Sequence, residues 1–277
     1  MKAYYNEQLV EESQISIAIA DRAFCYGDGL FETIIGYNGA PQFLKEHLHR
    51  LKRGMEAFQF SGWNTRLKAE RIQDQITQLC RLNHATRGKA RVRIQVWRKA
   101  GGLYTPQSTG FHLLITAHPA QSSTQLNALK AAFSQTVRLQ YSNTSAYKTM
   151  SALPYVLAGL EKKQRNLDEL ILLSTKEHIS ECIASNIFWV KNGVIYTPSL
   201  RSGCIAGIRR EFLVKYFRKA GRIVRRTLAK KATLLNADSI FNCNVAGIHF
   251  ITQVDKRHFP PSVEIKQLLN GLIEDME

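Results

Sequence analysis

No run of this 277-residue chain is apolar over the ~20 residues that a bilayer-spanning helix needs, so no membrane association of that kind is expected. The first residues, Met1-Lys2-Ala3-Tyr4-Tyr5-Asn6-Glu7, lack the apolar stretch of a secretory signal, and a cytoplasmic location is the expectation. Cysteine is sparse: Cys25, Cys80, Cys182, Cys204 and Cys243 are odd in number and form no Cys-x-x-Cys pair. That argues against a disulfide framework or a structural zinc site, and no metal is expected. Internal repeats and low-complexity tracts are absent as well. Acidic residues are outnumbered, 22 against 38 Lys and Arg, leaving a net charge of +16. The basic residues are nevertheless spread along the chain. Their densest runs, Arg222-Ile223-Val224-Arg225-Arg226 with Lys230-Lys231, and Lys162-Lys163-Gln164-Arg165, alternate with apolar residues or close a helix, as solvated faces do. No nucleic-acid partner is expected, and the field suits a small anionic ligand equally well.

What is present is ordinary globular composition, 44% hydrophobic and 22% charged, at a length comfortable for two domains. Two runs, Leu30 to Tyr37 and Pro41 to Leu44, flank Asn38-Gly39, a strong hairpin signal. Leu48, Leu51, Met55 and Phe58 recur at helical spacing, and a second helix is expected from about Leu67 to Leu82. Ala90 to Trp97 alternates with period two, and Phe111 to Thr116 reads as a strand. The polar stretch His118-Pro119-Ala120-Gln121-Ser122-Ser123-Thr124 reads as a linker. The expected division is therefore an N-terminal α/β domain over 1–117, a linker over 118–124 and a barrel-like C-terminal α/β domain over 125–277. Within the latter, strands are expected at Ala131 to Leu139, Glu169 to Leu173 and Asn186 to Val190. Asn192-Gly193 turns into a further strand, and helices start near Lys148, Gly207 and Val263.

Several segments carry chemistry. Asp21-Arg22-Ala23-Phe24-Cys25-Tyr26-Gly27-Asp28-Gly29-Leu30-Phe31-Glu32-Thr33 is followed by His47-Leu48-His49-Arg50-Leu51. Later come Tyr147-Lys148-Thr149-Met150 and Ile179-Ser180-Glu181-Cys182-Ile183-Ala184-Ser185-Asn186. Tyr196-Thr197-Pro198 leads on to Gly207-Ile208-Arg209-Arg210. In this order and spacing they resemble the class IV aminotransferases, the fold-type IV pyridoxal phosphate enzymes, over about residues 15 to 250. The resemblance implies a two-domain α/β fold with mixed sheets and an active site at the domain interface. It implies pyridoxal 5'-phosphate as cofactor and a homodimer as the assembly.

Residue by residue, the resemblance makes Lys148, on the C-terminal domain, the lysine that forms the Schiff base with the cofactor aldehyde and carries protons. Glu181 is the carboxylate that keeps the pyridine nitrogen protonated. Arg50 resembles the phosphate-binding arginine, a role that suits a guanidinium. Ile208 and Arg209 open a helix after a Ser/Gly-rich loop, where free N–H groups and the helix dipole suit a phosphate. Asn244 stands where relatives place a second phosphate contact. Phe31, Arg98 and Tyr104 fall at the substrate, with Arg98 pairing to a carboxylate. Cys182 and Cys204 read as small core residues.

The family serves more than one reaction. Glu181 to Trp189, and Arg98-Lys99-Ala100-Gly101-Gly102-Leu103-Tyr104, look closest to 4-amino-4-deoxychorismate lyase, which eliminates pyruvate and leaves 4-aminobenzoate. Leu103 stands where those lyases usually carry a second arginine. Branched-chain aminotransferases resemble the chain at Phe31-Glu32 but typically carry arginine at the position of Ile35. D-amino acid aminotransferases usually have tyrosine at that of Phe31. The lyase is the leading expectation, with the two aminotransferases behind it. A basic binding protein on a degenerate scaffold is the non-enzyme alternative, and it predicts loss of Lys148 or Glu181.

Overall fold

The computed structural model describes residues 1–120 and 128–274. The chain divides into two units, Met1–Ser122 with Tyr147–Ser151, and Ser123–Ala146 with Ala152–Glu277.

The first unit contains β1 (Lys2–Tyr5), β2 (Gln8–Glu11), α1 (Arg22–Tyr26), β3 (Gly29–Tyr37), β4 (Ala40–Pro41), α2 (Leu44–Ala57), α3 (Trp63–Arg66), α4 (Ala69–Leu82), β5 (Lys89–Arg98) and β6 (Phe111–Ala120). Its strands form one sheet in the order β2-β1-β6-β5-β3-β4. The β3–β4 hairpin turns at Asn38-Gly39, both at positive φ (51° and 83°), the geometry that matches the twist of paired strands. Along β5 the alternation is literal. Ala90, Val92, Ile94 and Val96 are buried against α2 and α4, whereas Arg91, Arg93 and Gln95 lie on the opposite face. From α2, Leu44, Leu48, Leu51 and Met55 pack into the same core at three- and four-residue spacing. Each such side chain contributes about 1.5–3 kcal/mol on burial.

Two expectations need correction here. The segment expected to begin the linker is strand, because His118, Pro119 and Ala120 pair with Arg91, Ala90 and Lys89. Pairing of β6 with β1 ends at Thr116, so Pro119 lies where no described strand follows on the far side, a position that tolerates a residue without an N–H. The rest of the expected linker, 121–124, lies outside the described residues. Second, Lys148 belongs to the first unit, not to the C-terminal one. Its peptide is stitched to β3: Phe31 N donates to Lys148 O and Met150 N to Gly29 O, each at 2.9 Å.

The second unit contains β7 (Ala128–Leu139), α5 (Leu153–Gln164), β8 (Glu169–Ser174), β9 (Ile179–Cys182), β10 (Asn186–Lys191), β11 (Val194–Pro198), α6 (Ile208–Lys219), β12 (Val224–Thr227), α7 (Lys231–Leu235), β13 (Ser239–Cys243), β14 (Ile248–Val254), β15 (Arg257–His258) and α8 (Val263–Glu274). The strand order is β12-β11-β10-β13-β14-β7-β8-β9, with β15 on β14. Parallel pairs β7–β8 and β11–β12 are joined through α5 and α6, as parallel neighbours require. The strands so covered are apolar on both faces, as Leu170 to Leu173 show. Ile179 N donates to Ala229 O at 2.7 Å, and His178 bridges Lys230. The two ends of the strand order thus meet and the sheet curls toward a barrel.

Candidate active site

In the first unit, side chains gather around Phe31, on the face of β3 turned away from the helices. The Lys148 Nζ lies 4.5 Å from the ring centroid, and the Arg93 guanidinium lies 4.4 Å from it. Burial, with Arg91 as a lesser neighbour, lowers the Arg93 pKa. Its Nε is buried with no hydrogen-bond partner among the described residues. A buried guanidinium nitrogen left so is costly, and an anion would satisfy it. The sequence reading missed Arg93. The available signal was an arginine repeated with period two, at Arg91 and Arg93, in a strand whose other face is aliphatic from Ala90 to Val96.

Arg50 comes from α2 and is buried, but its Nε and Nη2 edge is spent on Glu32, with Nε to Oε1 at 2.8 Å. His47 Nδ1 meets Glu32 Oε2 at 2.7 Å from the same helix. Burial alone would raise the Glu32 pKa. The Arg50 charge and the bonds from His47 and Arg50 outweigh it and hold the carboxyl at about 2.

Arg98, expected to hold a substrate carboxylate, hydrogen-bonds within its own unit. Its Nε donates to Asp28 Oδ2 at 2.9 Å and its Nη2 to Phe58 O at 2.7 Å, and the residue is 5% exposed. These bonds occupy its Nε and Nη2. Tyr104 does face outward, 89% exposed, with its ring 5.6 Å from that of Tyr26.

In the second unit, Glu181 on β9 is buried and well supplied with donors. Tyr155 Oη donates to Oε1 at 2.7 Å; Asn186 Nδ2 and Ile205 N donate to Oε2 at 3.2 and 3.1 Å. Donors to a carboxylate favour its charged form, and an ionised carboxylate is what a pyridinium requires. Burial, then Glu181 itself, push the Tyr155 phenol pKa far up, so Tyr155 stays protonated and donating. Cys204 is raised to about 11 by burial and by Glu181, and Cys182 is raised mainly by burial. Both are buried protonated thiols, inert core residues.

Ile208 and Arg209 form the first turn of α6, and no side chain caps that end. Gly207 precedes them at a close approach: a Cβ there would overlap Asn186 Oδ1. An uncapped N-terminus behind such a glycine fits an anion such as a phosphate. Arg209 Nη2 donates to Val245 O at 3.2 Å. Asn244, expected as a second phosphate contact, lies in the turn between β13 and β14. Its Oδ1 accepts from Ala246 N and Gly247 N at 2.8 and 3.2 Å, and its Nδ2 donates to Ala184 O, so the side chain shapes its own turn.

Each unit is mixed α/β and is built on its own sheet. The amino-transferase class IV family model matches residues 29–254, and the chain belongs to that family. A Methanocaldococcus jannaschii protein, provisionally named branched-chain-amino-acid aminotransferase, is 29% identical over 87% of this chain and 83% of its own. The aminodeoxychorismate lyase of Bacillus subtilis is 27% identical over 87% and 82%. In fold, the chain is similar to a branched-chain amino acid aminotransferase of Thermobaculum terrenum solved in its PLP form, with TM-score 0.87, 19% identity, and coverage of 99% and 93%.

Proposed function

We propose that this enzyme binds pyridoxal 5'-phosphate and acts on an amino-carboxylate. The leading reading is 4-amino-4-deoxychorismate lyase chemistry, elimination of pyruvate to leave 4-aminobenzoate. The observation that carries the amino-carboxylate is the pairing of Lys148 and Arg93 over one ring, Phe31. An amine that handles the substrate nitrogen shares this ring with a cation whose buried Nε needs an anion.

The residues fit the cofactor. The first turn of α6 at Ile208 and Arg209, together with Arg50, would hold the phosphate. Glu181, which accepts from Tyr155, Asn186 and Ile205 N, would hold the pyridine nitrogen protonated, and Lys148 would take the aldehyde carbon. When bound, the cofactor supplies an electron sink for the carbon beside the substrate nitrogen. Lys148 then carries the proton to and from that carbon. Arg93 orients the carboxylate, and the planar guanidinium suits two oxygens at once.

The likeness of Glu181 to Trp189 to the lyases supports the lyase, and the Bacillus subtilis relative agrees with it. The branched-chain reading is supported by the Methanocaldococcus jannaschii relative and opposed by Ile35, where such enzymes typically carry arginine. Incubation with aminodeoxychorismate, followed by enzymatic detection of pyruvate, tests the choice. Pyruvate release at a stoichiometry of one per 4-aminobenzoate supports the lyase. Conversion of the cofactor to its amine form by L-isoleucine, without pyruvate release from aminodeoxychorismate, assigns an aminotransferase.

The assembly in this reading is a homodimer. Leu153, Val156, Leu157 and Leu160 form an apolar stripe on α5 at 48–66% exposure, and a second copy is the occupant proposed for it. Sedimentation of the holoenzyme tests this, and a monomer at micromolar concentration would contradict it. A cytoplasmic setting suits the five free cysteines, and no described helix is long and apolar enough to cross a membrane.

A further inference from the structure

Between β5 and β6 the chain makes a twelve-residue excursion from Lys99 to Gly110 whose ends are tied by Lys99 N to Gly110 O at 3.0 Å. It is an irregular surface loop with closed ends, a form frequently given to function. Two features of it are expensive. Leu103 and Tyr104 are held out in solvent at 74% and 89% exposure. Beneath them two buried guanidinium groups share one carboxylate: Arg22 Nε and Arg98 Nε both donate to Asp28 Oδ2, at 2.8 and 2.9 Å. Burying two positive charges against one negative charge is a poor source of stability. The cluster has a consequence for the loop, however.

The Arg22 Nη1 points into a set of converging carbonyls, those of Gly101, Gly102 and Leu103, at 3.3, 3.0 and 2.6 Å. The carbonyls converge because Gly101 and Gly102 adopt φ of +116° and +74°, and a Cβ on Gly102 would overlap Thr105 O. The Arg22 guanidinium also lies 5.0 Å from the Tyr26 ring, and Tyr26 in turn packs on Tyr104. A single side chain thus fixes the loop backbone and the aromatic ring that leans on it. Its anchor, Asp28, immediately precedes the Gly29–Phe31 stretch that carries the Lys148 peptide.

We propose that Arg22 is a positioning residue for substrate recognition: anchored by Asp28, it sets the shape of the loop from Lys99 to Gly110 and so the placement of Leu103 and Tyr104 against the bound substrate. The inference rests on the amino-carboxylate reading above. Arg22 acts through the loop and does not touch the reacting atoms. A lysine in its place keeps the charge but has no planar fork with which to span Asp28 and the carbonyls.

The test compares Arg22→Lys and Gly102→Ala with the unsubstituted holoenzyme, using whichever of aminodeoxychorismate, L-isoleucine or D-alanine it converts. The expected result is a KM raised about tenfold or more with kcat changed by no more than about threefold, the pattern of lost binding without lost chemistry. Cofactor affinity and visible absorbance stay unchanged, and limited proteolysis cuts faster within 99–110. Gly102→Ala disturbs the loop while leaving the buried cluster intact, so it reproduces the KM effect without a large loss of thermal stability. If both variants lower thermal stability or leave it unchanged while KM stays within twofold, the network is structural only and the proposal is overturned. An unsubstituted protein that converts none of the three contradicts the amino-carboxylate reading instead. Faster cleavage in the variants would then still establish the clamp on the loop, and unchanged cleavage would remove it.

Discussion

Tyr155 donates its hydroxyl proton to Oε1 of Glu181 at 2.7 Å. The tyrosine sits on α5 and the glutamate on β9, so a helix and a strand of the curled sheet are joined through the carboxylate assigned to the pyridine nitrogen. The bond is charge-assisted and partly buried, and such bonds contribute about 1.5–3 kcal/mol.

Tyr155→Phe removes that donor while keeping the ring. Cofactor affinity is expected to fall about tenfold, corresponding to roughly 1.4 kcal/mol, with the fold retained. Equilibrium dialysis of the apoenzyme against pyridoxal phosphate measures it. An unchanged dissociation constant would mean that Asn186 and Ile205 N hold Glu181 unaided.

Arg93→Gln deletes the cation beside Phe31. The KM for a carboxylate substrate should rise about 10- to 100-fold, the size of a lost charge-assisted pair, while cofactor binding is retained. Thermal stability should hold or rise slightly, because a buried nitrogen without a partner is removed with it. A KM unaffected by this change would leave the carboxylate without its proposed ligand.

The Glu32 carboxyl is held at about 2 against an ordinary value of 4.5. A folded pKa below the unfolded one means stability present above pH 4.5 and lost as the pH falls toward 2. The linked contribution is about 3 kcal/mol. Urea midpoints should therefore decline through this window in the unsubstituted protein. Glu32→Gln leaves Arg50 and His47 facing a neutral amide, so its midpoint should already be lower at pH 7 by about 3–5 kcal/mol of stability, with a flatter acid limb. Identical acid limbs would mean that Glu32 does not carry the effect.

Gly207→Ala places a methyl group against Asn186 Oδ1. The first turn of α6 and the Asn186 bond to Glu181 are disturbed together, so cofactor affinity should fall more than tenfold, beyond the effect of Tyr155→Phe. The same dialysis measures it, and a wild-type affinity would remove the α6 terminus from the proposed phosphate site.

Local patterning revealed most of the elements because period and turn chemistry are written in adjacent residues. The Asn38-Gly39 hairpin, the alternation of β5 and the start of α6 after Gly207 are examples. The reading failed where composition misled or where partners are distant in sequence. His118-Pro119-Ala120 has the polar composition of a linker, yet pairing with β5 keeps it in the sheet. Lys148 precedes a helix of the second unit, yet its peptide hydrogen bonds go back to β3, more than a hundred residues earlier. Arg98 and Arg93 meet the same limit. Period two puts them on opposite faces of β5, but only the position of Asp28 shows that Arg98 is enclosed, and only the surroundings of Arg93 show that its Nε has no partner among the described residues. Tyr155 carried no signal at all, since its partner lies across the sheet.

Borohydride reduction of the holoenzyme, followed by proteolysis and peptide mass spectrometry, tests the central assignment most directly. The account predicts a single phosphopyridoxyl group on the peptide that contains Lys148, and none in Lys148→Ala. A modified lysine elsewhere, or no stoichiometric modification of cofactor-saturated protein, would contradict it.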